Sequence, residues 1–256
     1  LYKISDRSSV QNNNFYLSEP IWNTIQKYDK KSATFFWVGS EAPVGNRYPN
    51  YYKRYDKSVT YKSRIDTMEY WFNLPEGKRP DLVMLYFDEP DHTGHLYGAT
   101  GTEINEAISK IDDTIGDILN RVKGLSIYDS LNIIIASDHG MANITKDRVI
   151  IIDDYIELTD EFNIVSEGPY MQINFIDSPS IDKNRIHNQL RSIPNIVYYF
   201  RNDIPSTLNI LNSDTPDLII IPDIGWIVTS SKKKSYERFI DEMRNGMTKG
   251  MHGYTT

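Results

Sequence analysis

A chain of 256 residues is long enough for one large α/β domain, or for a core that carries an inserted subdomain. The 35 acidic and 28 basic residues leave a net charge of −7, so the composition gives no sign of a basic surface for nucleic acid or an anionic membrane. The absence of cysteine excludes disulfides and cysteine-ligated zinc. Because no apolar run is long enough for a membrane span and residues 1–5 are not a signal peptide, we expect a soluble chain.

The first half of the sequence alternates between predicted helices and strands. In chain order these are a helix over residues 18–28, a strand over 32–37, a helix over 64–72, a strand over 81–87, a helix over 104–122 and a strand over 131–136. The helix over 104–122 has the clearest amphipathic spacing. Such alternation predicts an α/β fold with a doubly wound, mostly parallel sheet flanked by helices, in which a right-handed crossover joins the last two strands.

Carboxylate and imidazole side chains follow two of these strands and recur late in the sequence. They are Asp91, His95, Asp138, His139 and His252. Zinc binds carboxylate oxygen and imidazole nitrogen in tetrahedral geometry, and open α/β sheets place their sites just past the carboxyl ends of the strands. A single Asp-His pair is more often a cap or a surface loop, so the joint occurrence carries the prediction of a metal site. His92, between two of the ligands, is interpreted as solvent-exposed.

The segments that contain these residues resemble those of a known family. Glu89-Pro90-Asp91-x-x-Gly94-His95, Ser137-Asp138-His139-Gly140 and His252-Gly253 are similar to motifs of the nucleotide pyrophosphatase/phosphodiesterase family of the alkaline-phosphatase superfamily. Similarity also covers Glu19-Pro20-Ile21-Trp22, Ser32-Ala33-Thr34-Phe35-Phe36-Trp37 and Arg79-Pro80-Asp81, and is sparse from Ala142 to Lys249. The resemblance implies an alkaline-phosphatase-like fold, with a metal-binding core over residues 1–148, an inserted α+β subdomain with further core strands over 149–249, and a return to the metal site over 250–256. Strand-like runs at 171–176 and 218–221 and a helix near 181–192 are predicted within the insertion.

The resemblance also implies a catalytic site with two zinc ions per complete domain. Asp91, His95 and His252 would hold one zinc, and Asp138 and His139 would hold the other, together with one further aspartate. The family's threonine nucleophile lies several tens of residues before the Glu19-Pro20 segment, and no residue before Glu19 matches it. We therefore identify no catalytic nucleophile in this chain and expect it to be inactive alone.

Aromatic residues match positions that line the nucleotide pocket in the family. The resemblance implies a base platform at Tyr55, a phosphate-side contact at Tyr86 and a further pocket wall at Trp37. Glu41 stands where some relatives carry an aspartate near the nucleoside. The alternative for Trp37 and Tyr86 is that they are strand residues of the core.

The implied function is zinc-dependent hydrolysis of phosphodiester or pyrophosphate bonds in a small-molecule nucleotide, releasing a nucleoside 5′-monophosphate. Two alternatives stay open: a phosphomonoesterase or lipid phosphodiesterase of the same superfamily, and a catalytically incomplete metal-binding fragment. The family resemblance implies an extracellular, periplasmic or membrane-anchored location.

Overall fold

The computed structural model describes residues 2, 4–176, 181–232, 240–243, 245–246 and 248–255. The chain forms two compact units, the first from Leu1–Asp88 and Ser109–Ile134, and the second from Glu89–Ile108 and Ile135–Thr256. Within the described ranges, no helix is both long and apolar enough to cross a membrane. The division of the chain at residues 148 and 249, which the resemblance implies, stays a prediction.

The first unit contains a parallel sheet with helices. Its elements are α1 (Arg7–Val10), α2 (Ile21–Gln26), β1 (Ser32–Phe35), β2 (Tyr51–Lys53), α3 (Tyr61–Phe72) and β3 (Leu82–Leu85). The strand order is β2-β1-β3, and both pairs are parallel. β1 is buried along its whole length, as expected for a central strand of a parallel sheet. The predicted elements from 18 to 87 are confirmed, with shorter bounds for α2, β1 and β3 and an earlier start for α3.

Helix α3 contains a buried charge that the sequence patterns did not reveal. Arg64 is 1% exposed; its Nη1 donates to the Tyr86 carbonyl at 2.8 Å and lies 3.1 Å from Asp88 Oδ1. The guanidinium also lies over the rings of Phe36 and Tyr61, at 4.8 and 4.7 Å from their centroids. Arg64 therefore fixes the segments that follow β1 and β3 to the same helix. A buried arginine of this kind holds its position through charge, hydrogen bonds and ring stacking together.

The second unit contains a four-stranded antiparallel sheet, one further antiparallel strand pair and one parallel strand pair. Helix α5 (Thr102–Lys123) begins in this unit and ends in the first. The other elements of the unit are α4 (Asp91–Tyr97), β4 (Ala142–Asn143), β5 (Val149–Ile151), β6 (Phe162–Ser166), β7 (Met171–Phe175), α6 (Lys183–Leu190), β8 (Ile196–Phe200), β9 (Leu218–Pro222), β10 (Ile227–Thr229) and β11 (Gly250–Met251). The sheet order is β6-β7-β9-β8, beside the pairs β10-β5 and β11-β4. Alternate residues of β7 join Ile186 and Leu190 of α6 in one core. The strands and helix predicted between 171 and 221 are confirmed.

The strand predicted over residues 131–136 is wrong. These residues have no strand pairing within the described ranges, and Ile133, Ile134 and Ile135 are 45%, 89% and 64% exposed. An apolar run is typical of a strand that is covered on both faces. A strand also needs a neighbouring strand to pair with its backbone N–H and C=O groups, and the local sequence does not show whether one is present. The predicted strand–helix–strand crossover is therefore also wrong for the described residues.

This exposed isoleucine run predicts self-association of the purified chain. Consecutive exposed apolar residues with free backbone groups favour intermolecular strand pairing. We expect Ile134→Lys to reduce association measured by light scattering over a concentration series. Ile224→Lys is the control, because Ile224 is 62% exposed but lies outside this run. An equal effect of both substitutions would assign the change to net charge.

Candidate functional site

Helix α4 presents two of the predicted ligands on one face. Asp91 is the first residue of the helix and His95 lies one turn later, so both side chains project from the same side. The helix ends at Gly98, whose φ of 95° is a conformation that glycine adopts without strain. Just beyond it, the Asn143 side chain accepts a hydrogen bond from the Ala99 N–H at 2.6 Å and ties the helix end to β4.

Three imidazoles surround one carboxylate oxygen in the second unit. Asp91 Oδ1 lies 3.5 Å from His95 Nε2, 3.5 Å from His252 Nε2 and 3.8 Å from His139 Nε2. Ligand atoms of Asp91, His139 and His252 all lie within 4.8 Å of one another. The rings of His139 and His252 stack with centroids 3.5 Å apart. The four side chains thus form one cluster, although the sequence separates them into three segments.

The side chains of this cluster could hold a metal ion. Asp91 Oδ1 is buried and has no hydrogen-bond partner among the described residues, so an acceptor is left without a donor in a polar environment. Zinc–ligand bonds of about 2.0–2.1 Å place tetrahedral ligand atoms about 3.3–3.4 Å apart. The spacings of 3.5 and 3.8 Å around Asp91 Oδ1 are close to that value.

Hydrogen bonds at the opposite ring nitrogens set how two of the histidines face the cluster. His95 Nδ1 lies 2.9 Å from the Gly250 carbonyl, and His139 Nδ1 lies 2.9 Å from the Gly140 carbonyl. A carbonyl only accepts, so each Nδ1 is the donor, and in the neutral ring Nε2 then has the lone pair that a metal would bind. Burial and the neighbouring His139 lower the pKa of His252 below the usual value for histidine, which favours its neutral form.

Asp138 lies at the edge of the cluster. Its Oδ2 is 3.6 Å from His139 Nε2, and its side chain is 78% exposed. The structure therefore brings His139 to the same oxygen that His95 and His252 surround, whereas the resemblance assigns His139 and Asp138 to a separate metal. His92, predicted to be solvent-exposed, is exposed.

Strand β11 holds the last ligand against helix α4 through a close backbone approach. A Cβ atom on Gly250 would lie 2.2 Å from the Gly94 carbonyl oxygen and 3.0 Å from Met141 Sδ. The Lys249 N–H donates to the His95 carbonyl at 2.8 Å, and Gly250 pairs with Asn143 of β4. Gly250 thus both orients His95 and allows the strand to approach. Gly250 was not predicted from the sequence, since a lone glycine before His252 forms no recognisable spacing pattern.

The predicted substrate residues lie in the first unit, just after the ends of its three parallel strands. Trp37 follows β1 and is 38% exposed, in a turn where its carbonyl accepts from the Ser40 N–H at 3.1 Å. Tyr55 follows β2 and is 40% exposed. Tyr86 follows β3 and is half-buried against the core cluster that includes Phe36 and Trp71. All three belong to the edge of the sheet where α/β proteins place ligands.

Glu41 differs from these aromatic residues because its side chain is buried. It is 4% exposed, and its carboxylate is ion-paired with Arg7 and accepts from the Tyr55 N–H at 2.9 Å. Arg7 was not identified from the sequence, since it lies 34 positions away with no pattern linking it to Glu41.

Known proteins are similar to most of this chain in sequence and in structure. A family described as type I phosphodiesterase / nucleotide pyrophosphatase matches residues 1–255. A venom phosphodiesterase from Crotalus durissus collilineatus is 33% identical over 88% of this chain and 28% of its own length. The human bis(5'-adenosyl)-triphosphatase ENPP4 is 30% identical over 92% of this chain and 51% of its own length.

A solved structure supports the same relationship. Human ectonucleotide pyrophosphatase / phosphodiesterase 5 superposes with a TM-score of 0.83 at 26% identity, over 96% of this chain and 62% of that chain. The murine protein, at 25% identity and the same TM-score, has been solved in complex with AMP. This chain thus spans about half or less of the length of the sequence relatives named above. The likeness confirms the predicted alkaline-phosphatase-like α/β fold, and the match along residues 1–255 shows that the chain belongs to the type I phosphodiesterase / nucleotide pyrophosphatase family.

Proposed function

We propose that this chain supplies the zinc-binding part of a phosphodiesterase that hydrolyses nucleotide phosphodiester or pyrophosphate bonds and releases a nucleoside 5′-monophosphate. The observation that carries the proposal is the buried Asp91 Oδ1 with three imidazole Nε2 atoms within 3.8 Å, in a chain of this family. Such a donor set suits zinc and contains no soft sulfur ligand.

In this proposal, Asp91, His95 and His252 hold one zinc, and Asp138 and His139 contribute to a second. Bound zinc supplies Lewis-acid stabilisation of the negative charge on a phosphoryl group. The chain's own residues orient the ligands: the Gly250 and Gly140 carbonyls keep the Nδ1 protons of His95 and His139 in place. The attacking threonine is proposed to come from a segment that these 256 residues do not include.

The substrate is proposed to be a small-molecule nucleotide. Tyr55 offers an exposed ring for stacking on a base, with Trp37 and Tyr86 after the neighbouring strands. Stacking on an aromatic ring tolerates any base, so it favours nucleotides as a class. The AMP complex of the murine relative and the name of the human triphosphatase fit this class. The names of the venom and ectonucleotide relatives also support an extracellular or membrane-anchored location.

Metal content tests the zinc assignment. We expect one tightly held zinc per 256-residue chain after dialysis, measured by elemental analysis, because Asp91, His95 and His252 form a complete protein ligand set. A second zinc should be lost on dialysis, because only Asp138 and His139 are identified for it. A chain that retains no zinc would contradict the proposal, and two tight equivalents would contradict the inequality of the sites.

Turnover by the complete polypeptide that contains this chain tests the reaction class. We expect faster hydrolysis of the p-nitrophenyl ester of a nucleoside 5′-monophosphate than of p-nitrophenyl phosphate or p-nitrophenylphosphocholine. Preference for the monoester would favour the phosphomonoesterase alternative, and preference for the choline ester would favour the lipid alternative. Inactivity on all three would leave a metal-binding protein without catalysis.

A further inference from the structure

The carboxylate of Glu41 is fully used inside the first unit. One oxygen, Oε1, accepts the Tyr55 backbone N–H at 2.9 Å, and the other, Oε2, is ion-paired with Arg7 of helix α1. The Glu41 side chain is 5% exposed, whereas that of Arg7 is 41% exposed. Glu41 therefore offers little surface to a ligand, and its contacts run to two other parts of the chain.

The residue that Glu41 holds is the proposed base platform. Tyr55 is 40% exposed, and the ring of Phe36 lies behind it with centroids 5.1 Å apart and planes at 60°. Phe36 is itself buried and lies under the Arg64 guanidinium at 4.8 Å. The Tyr55 ring is thus supported from one side by Phe36, and its backbone is held by Glu41. A platform fixed in this way loses less conformational freedom when a base stacks on it.

Arg7 supplies the charge partner of the buried Glu41 carboxylate. A buried carboxylate without a partner is costly, so without Arg7 the Glu41 side chain would turn toward solvent. That movement would break the hydrogen bond from the Tyr55 N–H to Glu41 Oε1. Arg7 therefore acts on Tyr55 through Glu41, although Arg7 lies 34 positions before Glu41.

We infer that Glu41 and Arg7 are positioning residues that determine how much the nucleobase contributes to ligand binding, and that Glu41 makes no contact with the substrate. The inference rests on the proposed role of Tyr55 in nucleotide binding. It differs from the interpretation of Glu41 as a nucleoside contact. In this inference Glu41 acts by accepting the hydrogen bond from the Tyr55 backbone N–H, and a neutral acceptor can do the same.

The two interpretations can be distinguished by removing the charge of Glu41 and its hydrogen-bond acceptor in different variants. Glu41→Gln keeps a carbonyl oxygen for the Tyr55 N–H and leaves Arg7 able to reach solvent. Glu41→Ala removes the acceptor. Arg7→Met leaves the carboxylate without its partner, and the double variant Arg7→Met/Glu41→Gln restores a neutral, buried acceptor.

The experiment measures equilibrium binding of AMP and of ribose 5-phosphate to the zinc-loaded chain by calorimetry. The ratio of the two dissociation constants isolates the contribution of the base, and a general loss of folding would weaken both ligands together. For the unaltered chain we expect AMP to bind about tenfold more tightly, within the range of one base-stacking contact. Glu41→Ala, Arg7→Met and Tyr55→Ala should each remove most of this ratio.

Glu41→Gln and the double variant should retain most of the ratio, and thermal unfolding should verify that each variant is folded. Glu76→Ala, which removes an exposed acid in the same unit, is the charge control. If Glu41→Gln loses the ratio as fully as Glu41→Ala, the charged carboxylate itself contacts the ligand and the inference is overturned. If Tyr55→Ala lowers the ratio but Glu41→Ala does not, only the positioning role fails. An unchanged ratio in Tyr55→Ala, or no preference for AMP in the unaltered chain, would remove the base platform itself.

Discussion

Replacing Asp91 by Asn is expected to weaken zinc binding by at least about 100-fold, since even residues that only orient metal ligands commonly change affinity by about 10–100-fold. Asp91 Oδ1 is the atom that all three imidazoles face, at 3.5–3.8 Å. The amide is nearly isosteric but carries no negative charge, so the change tests the charge at the centre of the cluster. Competition titration with a chromophoric chelator measures the affinity directly.

His92→Ala is the matched control for this variant. His92 lies next to Asp91 on the same helix and is exposed, so we expect no more than a small change in zinc affinity. In the complete polypeptide, Asp91→Asn should abolish turnover, and His92→Ala should leave it nearly intact. Equal zinc affinity in the Asp91 variant and the unaltered chain would show that the cluster is not the metal site.

Gly250→Ala is the second substitution with a large expected effect. The added Cβ would lie 2.2 Å from the Gly94 carbonyl oxygen, a contact with backbone that no side-chain rotation relieves. Strand β11 must then move, and the Gly250 carbonyl would no longer meet His95 Nδ1. We expect about 1–3 kcal/mol of destabilisation from the forced contact, and about 10–100-fold weaker zinc binding from the lost orientation of His95.

Chemical denaturation of the metal-free chain and zinc titration separate these two effects. Gly116→Ala is the control, because a Cβ at Gly116 meets nothing within 4 Å and alanine favours the helix in which Gly116 lies. An unchanged zinc affinity in Gly250→Ala would mean that the backbone accommodates the methyl group without moving His95.

The parts of the fold that follow from local patterns were predictable from the sequence. The apolar runs of β1 and β3 and the amphipathic spacing of α5 are properties of neighbouring residues, and the structure forms all three elements. The run over 131–136 has the same local pattern but no strand partner in the described chain, so pattern alone led to a wrong prediction. Burial on both faces depends on the rest of the fold, which no local window contains.

The candidate site also has parts that were predictable from the sequence and parts that were not. Asp91 and His95 were predictable because they follow the predicted strand over 81–87, where open α/β sheets place their sites, whereas helix α4 that carries them was not predicted. The role of the Gly250 carbonyl, the pairing of Glu41 with Arg7 and the burial of Arg64 depend on tertiary contacts between distant residues. The position of Arg64 four residues before Met68 does place a charge on the apolar face of α3, which was an available sign of a buried partner.

The bond between His95 and the Gly250 carbonyl spans 155 positions of the chain, and this separation fixes when the site can form during folding. Closing so long a loop is slow, because its entropy must be lost before the contact is gained. In small zinc modules the ligands are neighbours in sequence, and the metal drives folding. Here His95 and His252 meet only after β11 has docked on α4, so we expect a metal that binds this cluster to be captured late in the folding of the second unit.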